Sequence, residues 1–297
     1  MVVVTARGWA LFAAMSVIWG IPYLLIKVAV DEVSVPVLVF TRSAVGAVLL
    51  LPLAVSRQTR ALLRRHWKAV AAFAFFEMIA AWLLLSDAER HLTSSLTGLL
   101  IAAAPIIAAV LDRLTGGERL GPARLFGLGV GLAGVAVLAG PGLSAGGVWP
   151  VIEVLLTATC YAIAPLIAAR YLADVPGPAL TSACLGLAAL VYLAPAALTW
   201  PRHALTPHAY AAIATLAGIC TALAFVVFFA LIREVGATRA LLFTYVNPAV
   251  ALIAGVLLLR EPLTWFHIAG LVLILTGSVF ASRTIPAGVG SENVADE

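Results

Sequence analysis

Three charged side chains lie inside long apolar runs of this sequence, and they are the first candidates for chemistry: Arg42, Glu77 and Glu153. A charge inside a membrane-crossing helix costs about 2.5–3.5 kcal/mol on insertion scales, so it usually has a partner or a function. We predict an intramembrane ion pair between Arg42 and one of the glutamates, Glu77 or Glu153, which would lower the cost of both charges. One hypothesis is that a glutamate binds an amino group or exchanges protons; the alternative is a purely structural pair.

Glu153 shares a helical face with small, fairly polar residues. Thr157 and Cys160 follow it at intervals of four and seven residues, which places all three on one side of a helix. Such a stripe could line a cavity or admit a neighbouring helix at close range. Both interpretations remain open at this point.

Two prolines interrupt apolar runs at matching places. Pro105 and Pro248 each remove a backbone N–H and release a carbonyl one turn earlier, at Ile101 and Thr244. In lipid, such a carbonyl must face protein or a watery cavity. Matched breaks near the midplane are typical of binding sites between the halves of transporters, whereas a packing kink is the alternative.

Polar and aromatic side chains near these breaks complete the candidate pathway. Thr244 and Asn247 share a face with Pro248, and a buried asparagine needs hydrogen-bond partners. We therefore predict that Asn247 contacts a substrate or a gate. The candidate aromatic walls are Trp19, Tyr23, Tyr161 and Tyr245, with Trp82 interpreted as part of an interfacial belt. Ordinary interior packing is the alternative for each of these rings.

The elements that carry these residues are predicted to be membrane helices. Of the 297 residues, 63% are hydrophobic and 11% are charged, which excludes a soluble globular enzyme and a disordered chain. A helix that crosses a bilayer needs about 20 apolar residues. We predict ten helices, giving an all-α polytopic membrane protein: residues 8–28, 36–55, 67–86, 93–112, 122–140, 148–169, 178–200, 208–231, 239–259 and 264–283. The tail at 285–297 is predicted to be a disordered cytoplasmic segment.

The distribution of basic residues predicts the orientation in the membrane. With ten crossings, thirteen of the 18 Lys and Arg residues lie on the side of the N-terminus and Arg42 lies within a helix. The other side receives Lys27, Arg90, Arg202 and Arg260. Because basic loops stay cytoplasmic, both termini should be cytoplasmic in the plasma or inner membrane. This topology also explains the net charge of +4, so no nucleic-acid partner is expected.

The sequence carries none of the motifs that would indicate an enzyme or a cofactor. The five histidines lie near predicted helix ends or in loops, and no H-E-x-x-H or G-x-x-x-x-G-K-[ST] pattern occurs. Cys160, Cys184 and Cys220 lie inside predicted helices without metal-type spacing. We therefore expect no metal, no cofactor and no ATP hydrolysis. A channel is a further alternative, although no filter motif is visible.

An internal repeat divides the chain into two halves. Residues 105–136 align with residues 248–279 at a constant offset of 143, with identical proline, glutamate and glycine pairs at Pro105/Pro248, Glu118/Glu261, Gly127/Gly270 and Gly134/Gly277. We predict two five-helix units, 1–141 and 142–284. Because five is odd, the second unit enters the membrane from the opposite side, which is the inverted repeat typical of alternating-access transporters.

Three segments resemble one known family. Ser16-Val17-Ile18-Trp19-Gly20, Pro105…Gly117-Glu118 and Asn247-Pro248…Arg260-Glu261-Pro262 are similar to the EamA family of the drug/metabolite transporter superfamily. The resemblance covers nearly the whole chain, although Cys160-Tyr161 replaces the tryptophan pattern in the second half. It implies ten helices in a five-plus-five inverted repeat, a central cavity, and efflux of amino acids or related metabolites.

The expected function is thus a secondary transporter for a small molecule, with proton coupling as a hypothesis based on Glu77 and Glu153. A drug or toxic-compound exporter is the nearest alternative, and a membrane-embedded enzyme is another. Gly127 and Gly131 form a GxxxG pattern that predicts close helix contact. The contact could be within the chain or between the subunits of a homodimer.

Overall fold

The described part of the chain is built from helices. The computed structural model describes residues 5–54, 56–115, 121–145 and 147–281, which form helices joined by turns and short loops. In chain order the main helices are α1 (Ala6–Val30), α2 (Val35–Ala54), α3 (Trp67–Ala88), α4 (Ser94–Leu114), α5 (Pro122–Ala145), α6 (Val148–Tyr171), α7 (Gly177–Leu198), α8 (Pro207–Val235), α9 (Asn247–Leu258) and α10 (Trp265–Ala281). A short polar helix, Arg57–Arg65, lies between α2 and α3.

Seven of these helices are long and apolar enough to cross a membrane, namely α1 to α4 and α6 to α8. The apolar parts of α5, α9 and α10 are shorter, at Leu125–Gly140, Asn247–Leu258 and Trp265–Phe280. Seven crossings are therefore supported by length and composition, while the predicted count of ten stays a prediction. The predicted tail at 285–297 lies outside the described residues, and the unit boundaries at 141 and 284 stay predictions.

Helices are interrupted just before both prolines that the sequence analysis singled out. Within α4, one helical segment ends at Ile101 and the next begins at Ala104, with Pro105 in its first turn. Before α9, a short helix (Ala237–Ala240) and a 3₁₀ turn (Leu241–Tyr245) replace the continuous helix expected from residue 239. In α4 the Ala102 carbonyl accepts a hydrogen bond from Ser278 Oγ at 3.4 Å, so protein rather than lipid meets this break.

The helices pack in pairs that follow the repeat. Helix α1 packs on α8 and α3 packs on α6, while α2 packs on α7, α4 on α9 and α5 on α10. A two-fold axis that exchanges α1 with α6, α2 with α7 and so on would carry the α1–α8 pair onto the α6–α3 pair. The same axis would map each remaining pair onto itself. This pairing is compatible with an inverted repeat.

The glycine face of α5 meets α10 of the same chain. A Cβ atom on Gly277 would collide with the backbone of Gly131 and Gly127. The contact predicted from the GxxxG pattern is therefore an intrachain one, because α10 occupies that face. A homodimer stays a prediction that would need another surface.

Candidate functional site

Arg42 is held in the interior by groups from two other helices. Its side chain is 8% exposed, and Nε donates to Thr221 Oγ1 of α8 at 2.8 Å. The guanidinium carbon lies 3.7 Å from the ring centroid of Trp82, which is buried on α3 rather than part of an interfacial belt. Thr221 Oγ1 in turn donates to the Leu216 carbonyl at 2.8 Å. A hydrogen bond and a cation–π contact therefore fix the plane of the guanidinium group.

The ion pair predicted for Arg42 is not formed in this structure. Among the described residues, no salt bridge joins Arg42 to Glu77 or Glu153. The reason is the register of α3, because Arg42 stacks on Trp82, five residues beyond Glu77. Five residues correspond to about 7 Å along a helix axis. The two terminal nitrogens of Arg42 donate to no group in the described ranges.

Glu77 lies in the middle of α3 and is partly accessible. Within the part of the chain that the structure describes, its carboxylate has no hydrogen-bond or salt-bridge partner. Tyr161 and Cys160 of α6 and Cys184 of α7 are its electrostatic neighbours. An intramembrane carboxylate without a protein partner indicates a functional position by default.

Two tyrosines connect these charges. Tyr161 lies within electrostatic range of both Arg42 and Glu77, and Tyr23 of α1 lies within range of Arg42 and Tyr161. We call these six residues the central cluster: Tyr23, Arg42, Glu77, Trp82, Tyr161 and Thr221. It is formed by α1, α2, α3, α6 and α8, so both halves contribute to it. A cation and an anion with separate protein surroundings thus flank one tyrosine.

Matching π-helical turns lie in α3 and α8. They span Phe75–Ala80, which contains Glu77, and Gly218–Leu223, which contains Thr221. Both boundaries differ by 143 residues, the offset of the sequence repeat. A π-turn widens the helix and leaves a carbonyl to be satisfied elsewhere, which is why such turns are common at functional sites.

Aromatic donors from the opposite half satisfy both π-turns. Tyr192 Oη of α7 donates to the Ile79 carbonyl at 2.8 Å, and Trp19 Nε1 of α1 donates to the Cys220 carbonyl at 3.2 Å. Trp19 also packs against three phenylalanine rings at centroid distances of 5.2–5.5 Å, those of Phe225, Phe228 and Phe243. The π-turns are therefore held by contacts between the two halves.

The polar residues near the second break mainly join helices. Asn247 is half-buried, and in the amide orientation that satisfies both acceptors its nitrogen donates to Ser16 O at 3.1 Å and Phe243 O at 3.0 Å. Thr244 Oγ1 donates to the Leu241 carbonyl at 2.7 Å, one turn back. Tyr245 is half-buried in the 3₁₀ turn, and Pro248 is buried in the first turn of α9. Asn247 thus ties α9 to α1 at the break.

Glu153 lies apart from the central cluster. It is 4% exposed and lines a cavity of about 290 Å³ together with Asp87, Arg90 and residues at the start of α2. Thr157 is fully buried and bonds the Glu153 carbonyl at 2.9 Å and the Ala81 carbonyl at 3.4 Å. The small face of α6 therefore packs against α3 at Thr157, and Glu153 faces the side predicted to be external. Among the described residues, no group of three His, Cys, Asp or Glu side chains forms a metal site.

Comparison with known proteins agrees with this geometry. The sequence model of the EamA-like transporter family matches residues 6–140 and again residues 148–283. The chain belongs to the EamA-like transporter family. This EamA-like protein is 26% identical over 282 residues to an uncharacterized transporter, YvbV, of Bacillus subtilis (strain 168), covering 91% of this chain and 90% of that one.

Two further matches extend the comparison. An uncharacterized transporter of Archaeoglobus fulgidus is 25% identical over 293 residues, covering 93% of this chain and 99% of the relative. A solved structure, titled only as the crystal structure of a protein, superposes with a TM-score of 0.67 at 18% identity, covering 93% of this chain and 96% of that one. At that identity the structural match supports the fold alone. The EamA-like protein is thus a multi-pass membrane protein of a transporter family.

Two glutamates of the EamA-like protein form hydrogen bonds from one half to the other, on the side predicted to be external. The Glu261 carboxylate accepts hydrogen bonds from the backbone N–H and hydroxyl groups of Ser94 and Ser95 at the start of α4, with backbone distances of 2.8 and 2.9 Å. Glu32 accepts hydrogen bonds from Thr206 N, at 2.7 Å, and from Thr206 Oγ1, at the start of α8. Hydrogen bonds from the Thr206 hydroxyl and backbone lower the pKa of Glu32. We call these the outer glutamate contacts.

Glu261 binds a helix in the other half of the chain. A glutamate just before Pro262 is placed by the sequence near the start of its own following helix, where a carboxylate suits the helix dipole. It binds the N-terminus of α4 in the other half instead, because the loop after α9 lies against that helix start. Glu118, its repeat partner, lies outside the described residues.

Sequence reasoning missed several residues of the site. Thr221 and Tyr192 are ordinary residues of apolar runs, and their roles depend on which helices meet. The sequence indicates a belt position for Trp82 because the residue lies near the end of a predicted helix, and its burial depends on packing. The constant offset of 143 could have pointed to residues 218–223 as the equivalent of the segment around Glu77, although the two segments share no sequence pattern.

Proposed function

We propose that this protein is a secondary transporter that works by alternating access and exports amino acids or related small metabolites. The central cluster would be the substrate site, because it lies between the halves and draws on both. Transport without ATP is the proposal, since the sequence has no nucleotide-binding motif. The rocking of one half against the other around a fixed site is the mechanism that this arrangement supports.

One observation carries the proposal: a cation and an anion flank one tyrosine without neutralising each other. Arg42 keeps its terminal nitrogens free of described protein acceptors, and Glu77 has no described protein donor. A carboxylate group would bind the guanidinium group through charge-assisted hydrogen bonds, and an ammonium group would bind Glu77 in the same way. A zwitterion supplies both groups in one molecule, and so it would offset the cost of both intramembrane charges.

The aromatic lining supports a substrate with an apolar side chain as well. Trp82 and Tyr161 border the charges, and the rings around Trp19 lie beside the π-turn of α8. The same ring cluster also favours the second candidate function, efflux of aromatic or amphipathic drug-like compounds. The two candidates differ in whether transport requires both an ammonium and a carboxylate group.

Transport assays in proteoliposomes test this proposal. Vesicles preloaded with an unlabelled amino acid should take up the labelled amino acid by counterflow, and a metabolite panel would identify the best substrate. We expect N-acetylation of the substrate to reduce uptake by the wild type. Counterflow of aromatic drugs without counterflow of any amino acid would contradict the proposal in favour of drug efflux.

Variants of the two charges sharpen the test. Glu77→Gln should lose on the order of tenfold or more in preference for the amino acid over its N-acetyl analogue, because one charge-assisted bond contributes about 1.5–3 kcal/mol. Arg42→Lys should reduce preference for the acid over its amide, since lysine lacks the planar fork. Asp31→Asn, a change of an exposed carboxylate, is the matched control and should leave both preferences unchanged. Equal preferences in Glu77→Gln and wild type would overturn the assignment of Glu77.

A further inference from the structure

Glu89 is a buried carboxylate that the proposed substrate site does not use. It is the first residue after α3 and is 0% exposed. Neither of its carboxylate oxygens has a hydrogen-bond partner among the described residues. A charged carboxylate buried without donors or a counterion is very unfavourable, so such a group either binds a cation or carries a proton.

The groups that face Glu89 come from α1 and from the loop after α9. Lys27 of α1 donates from Nζ to the backbone carbonyl of Glu89 at 2.7 Å. Glu261 lies within electrostatic range of the carboxyl group, but Ser94 and Ser95 occupy its oxygens. Arg90, the next residue, forms its salt bridge with Asp87 at 3.6 Å. The side chain of Glu89 is thus surrounded by charges that are already engaged elsewhere.

A proton fits this surrounding better than a metal ion. Sodium or calcium would need several oxygen ligands, and the nearby Glu261 oxygens are already saturated by donors. The Lys27 ammonium group would also repel a metal ion at this position. A proton needs no further ligand, and it removes the unpaired charge.

The position of Glu89 connects the external side to the central cluster. Tyr23 lies within electrostatic range of both Glu89 and Arg42. Tyr23 and Lys27 are four residues apart on α1, so they lie on one face of that helix. Tyr23 therefore lies between Glu89 and the charged guanidinium group of the central cluster. The outer contact between Glu261 and Ser94 lies beside it, at the junction of the two halves.

We propose that Glu89 is a proton-binding site through which this transporter couples export to the proton gradient. This inference rests on the proposed function. When the external side is open, water reaches the carboxylate and a proton from outside forms the O–H bond. Closure of the outer glutamate contacts then buries the neutral acid, as in the present structure. The proton leaves to water on the cytoplasmic side after the halves have rocked.

The electrostatics of the buried state agree with a neutral acid. Burial raises the pKa of Glu89 well above its ordinary value. The nearby Lys27 ammonium opposes this rise, and the Glu261 carboxylate adds to it. A raised pKa favours the protonated acid while the outer side is closed, and contact with cytoplasmic water after the halves have rocked lowers the pKa again and releases the proton.

Two transport modes in proteoliposomes test the proposal separately from the proposed function. Counterflow needs only a working carrier, whereas accumulation driven by a pH gradient needs the coupling site. Glu89→Gln, which mimics the protonated acid, should keep counterflow within about twofold of wild type and lose stimulation by the gradient. Asp31→Asn is the matched control and should keep both. If the wild-type protein showed no counterflow, that result would contradict the proposed function rather than the role of Glu89.

A chemical probe tests the site without any substrate. Dicyclohexylcarbodiimide modifies protonated carboxyl groups in apolar surroundings, and mass spectrometry locates the modified residue. At pH 7 we expect labelling of Glu89 in the purified full-length protein, with much less at the exposed Asp31. The proposal would be overturned if the pH gradient still stimulated transport by Glu89→Gln, or if Glu89 were not labelled by the carbodiimide.

Discussion

At the scale of single residues, the central feature is a pair of opposite charges that do not bind each other. Arg42 is held by Thr221 and Trp82. Glu77 lies five residues before Trp82 on α3, near polar and sulfur-containing side chains. If the two were paired, a ligand would have to break a buried ion pair before binding. Their separation keeps both charges ready for a zwitterionic ligand.

The outer glutamate contact at Glu32 gives a prediction about pH. Because hydrogen bonds from Thr206 lower the pKa of Glu32 in the folded protein, this contact stabilises the fold above the ordinary glutamate pKa near 4.5. The stabilisation is lost as the pH falls through the lowered pKa. The melting temperature of wild type in detergent should exceed that of Glu32→Gln at pH 7, and the difference should shrink toward pH 4. A difference that grows on acidification would contradict this assignment.

The sequence predicted the important charges but not their partners. A lone arginine or glutamate in an apolar run is visible without a structure, because its cost in lipid is independent of its neighbours. The partner of Arg42 depends on the packing of α2 against α8 and on the register of α3. Those quantities are tertiary, so the sequence predicted an ion pair where the structure has a threonine and a tryptophan.

At the scale of elements, matched interruptions of the helices distinguish this fold from a simple bundle. The proline breaks in α4 and before α9 were predictable, because proline cannot donate a backbone hydrogen bond. The π-turns in α3 and α8 were not predictable, since neither contains proline and their sequences differ. Their matching positions place Glu77 at the point equivalent to Cys220, one residue before Thr221.

The donors to the π-turns give a prediction about stability. Tyr192→Phe removes the hydrogen bond to the Ile79 carbonyl and leaves that carbonyl unsatisfied. An unsatisfied buried polar group costs about 1–3 kcal/mol. The melting temperature in detergent should fall, whereas Tyr210→Phe, the same change at an exposed site of α8, should leave it unchanged. Equal melting temperatures for both variants would show that the Tyr192 bond is dispensable.

Close packing of α5 on α10 gives a second prediction at this scale. Gly277→Ala places a methyl group against the backbone of α5, which cannot move aside as a side chain can. Gly129→Ala adds the same methyl group on α5 where no atom lies within 4 Å. Gly277→Ala should lower the melting temperature, while Gly129→Ala should keep it or raise it slightly through better helix propensity. A lower melting temperature for Gly129→Ala than for Gly277→Ala would contradict the described packing.

At the scale of the whole molecule, the pairing of helices agrees with the symmetry of the repeat. A two-fold axis between the halves would exchange the α1–α8 and α6–α3 pairs, and the central cluster lies where residues of both halves meet. The repeat offset and the asymmetry of basic residues could be predicted from the sequence, because both are patterns along the chain. The pairing itself could not, since five helices per half allow many arrangements in a membrane.

The central claim is that the two halves cross the membrane in opposite senses, and site-directed labelling tests it most directly. Two pairs of exposed residues, Arg60 with His203 and Arg90 with Arg233, are related by the repeat offset of 143. Each would be replaced singly by cysteine and treated with a membrane-impermeant maleimide in intact and permeabilised cells, with the buried native cysteines as background. We expect His203→Cys and Arg90→Cys to react in intact cells, and Arg60→Cys and Arg233→Cys to react only after permeabilisation. Labelling of both members of a pair from the same side would contradict the inverted repeat and the shared site between its halves.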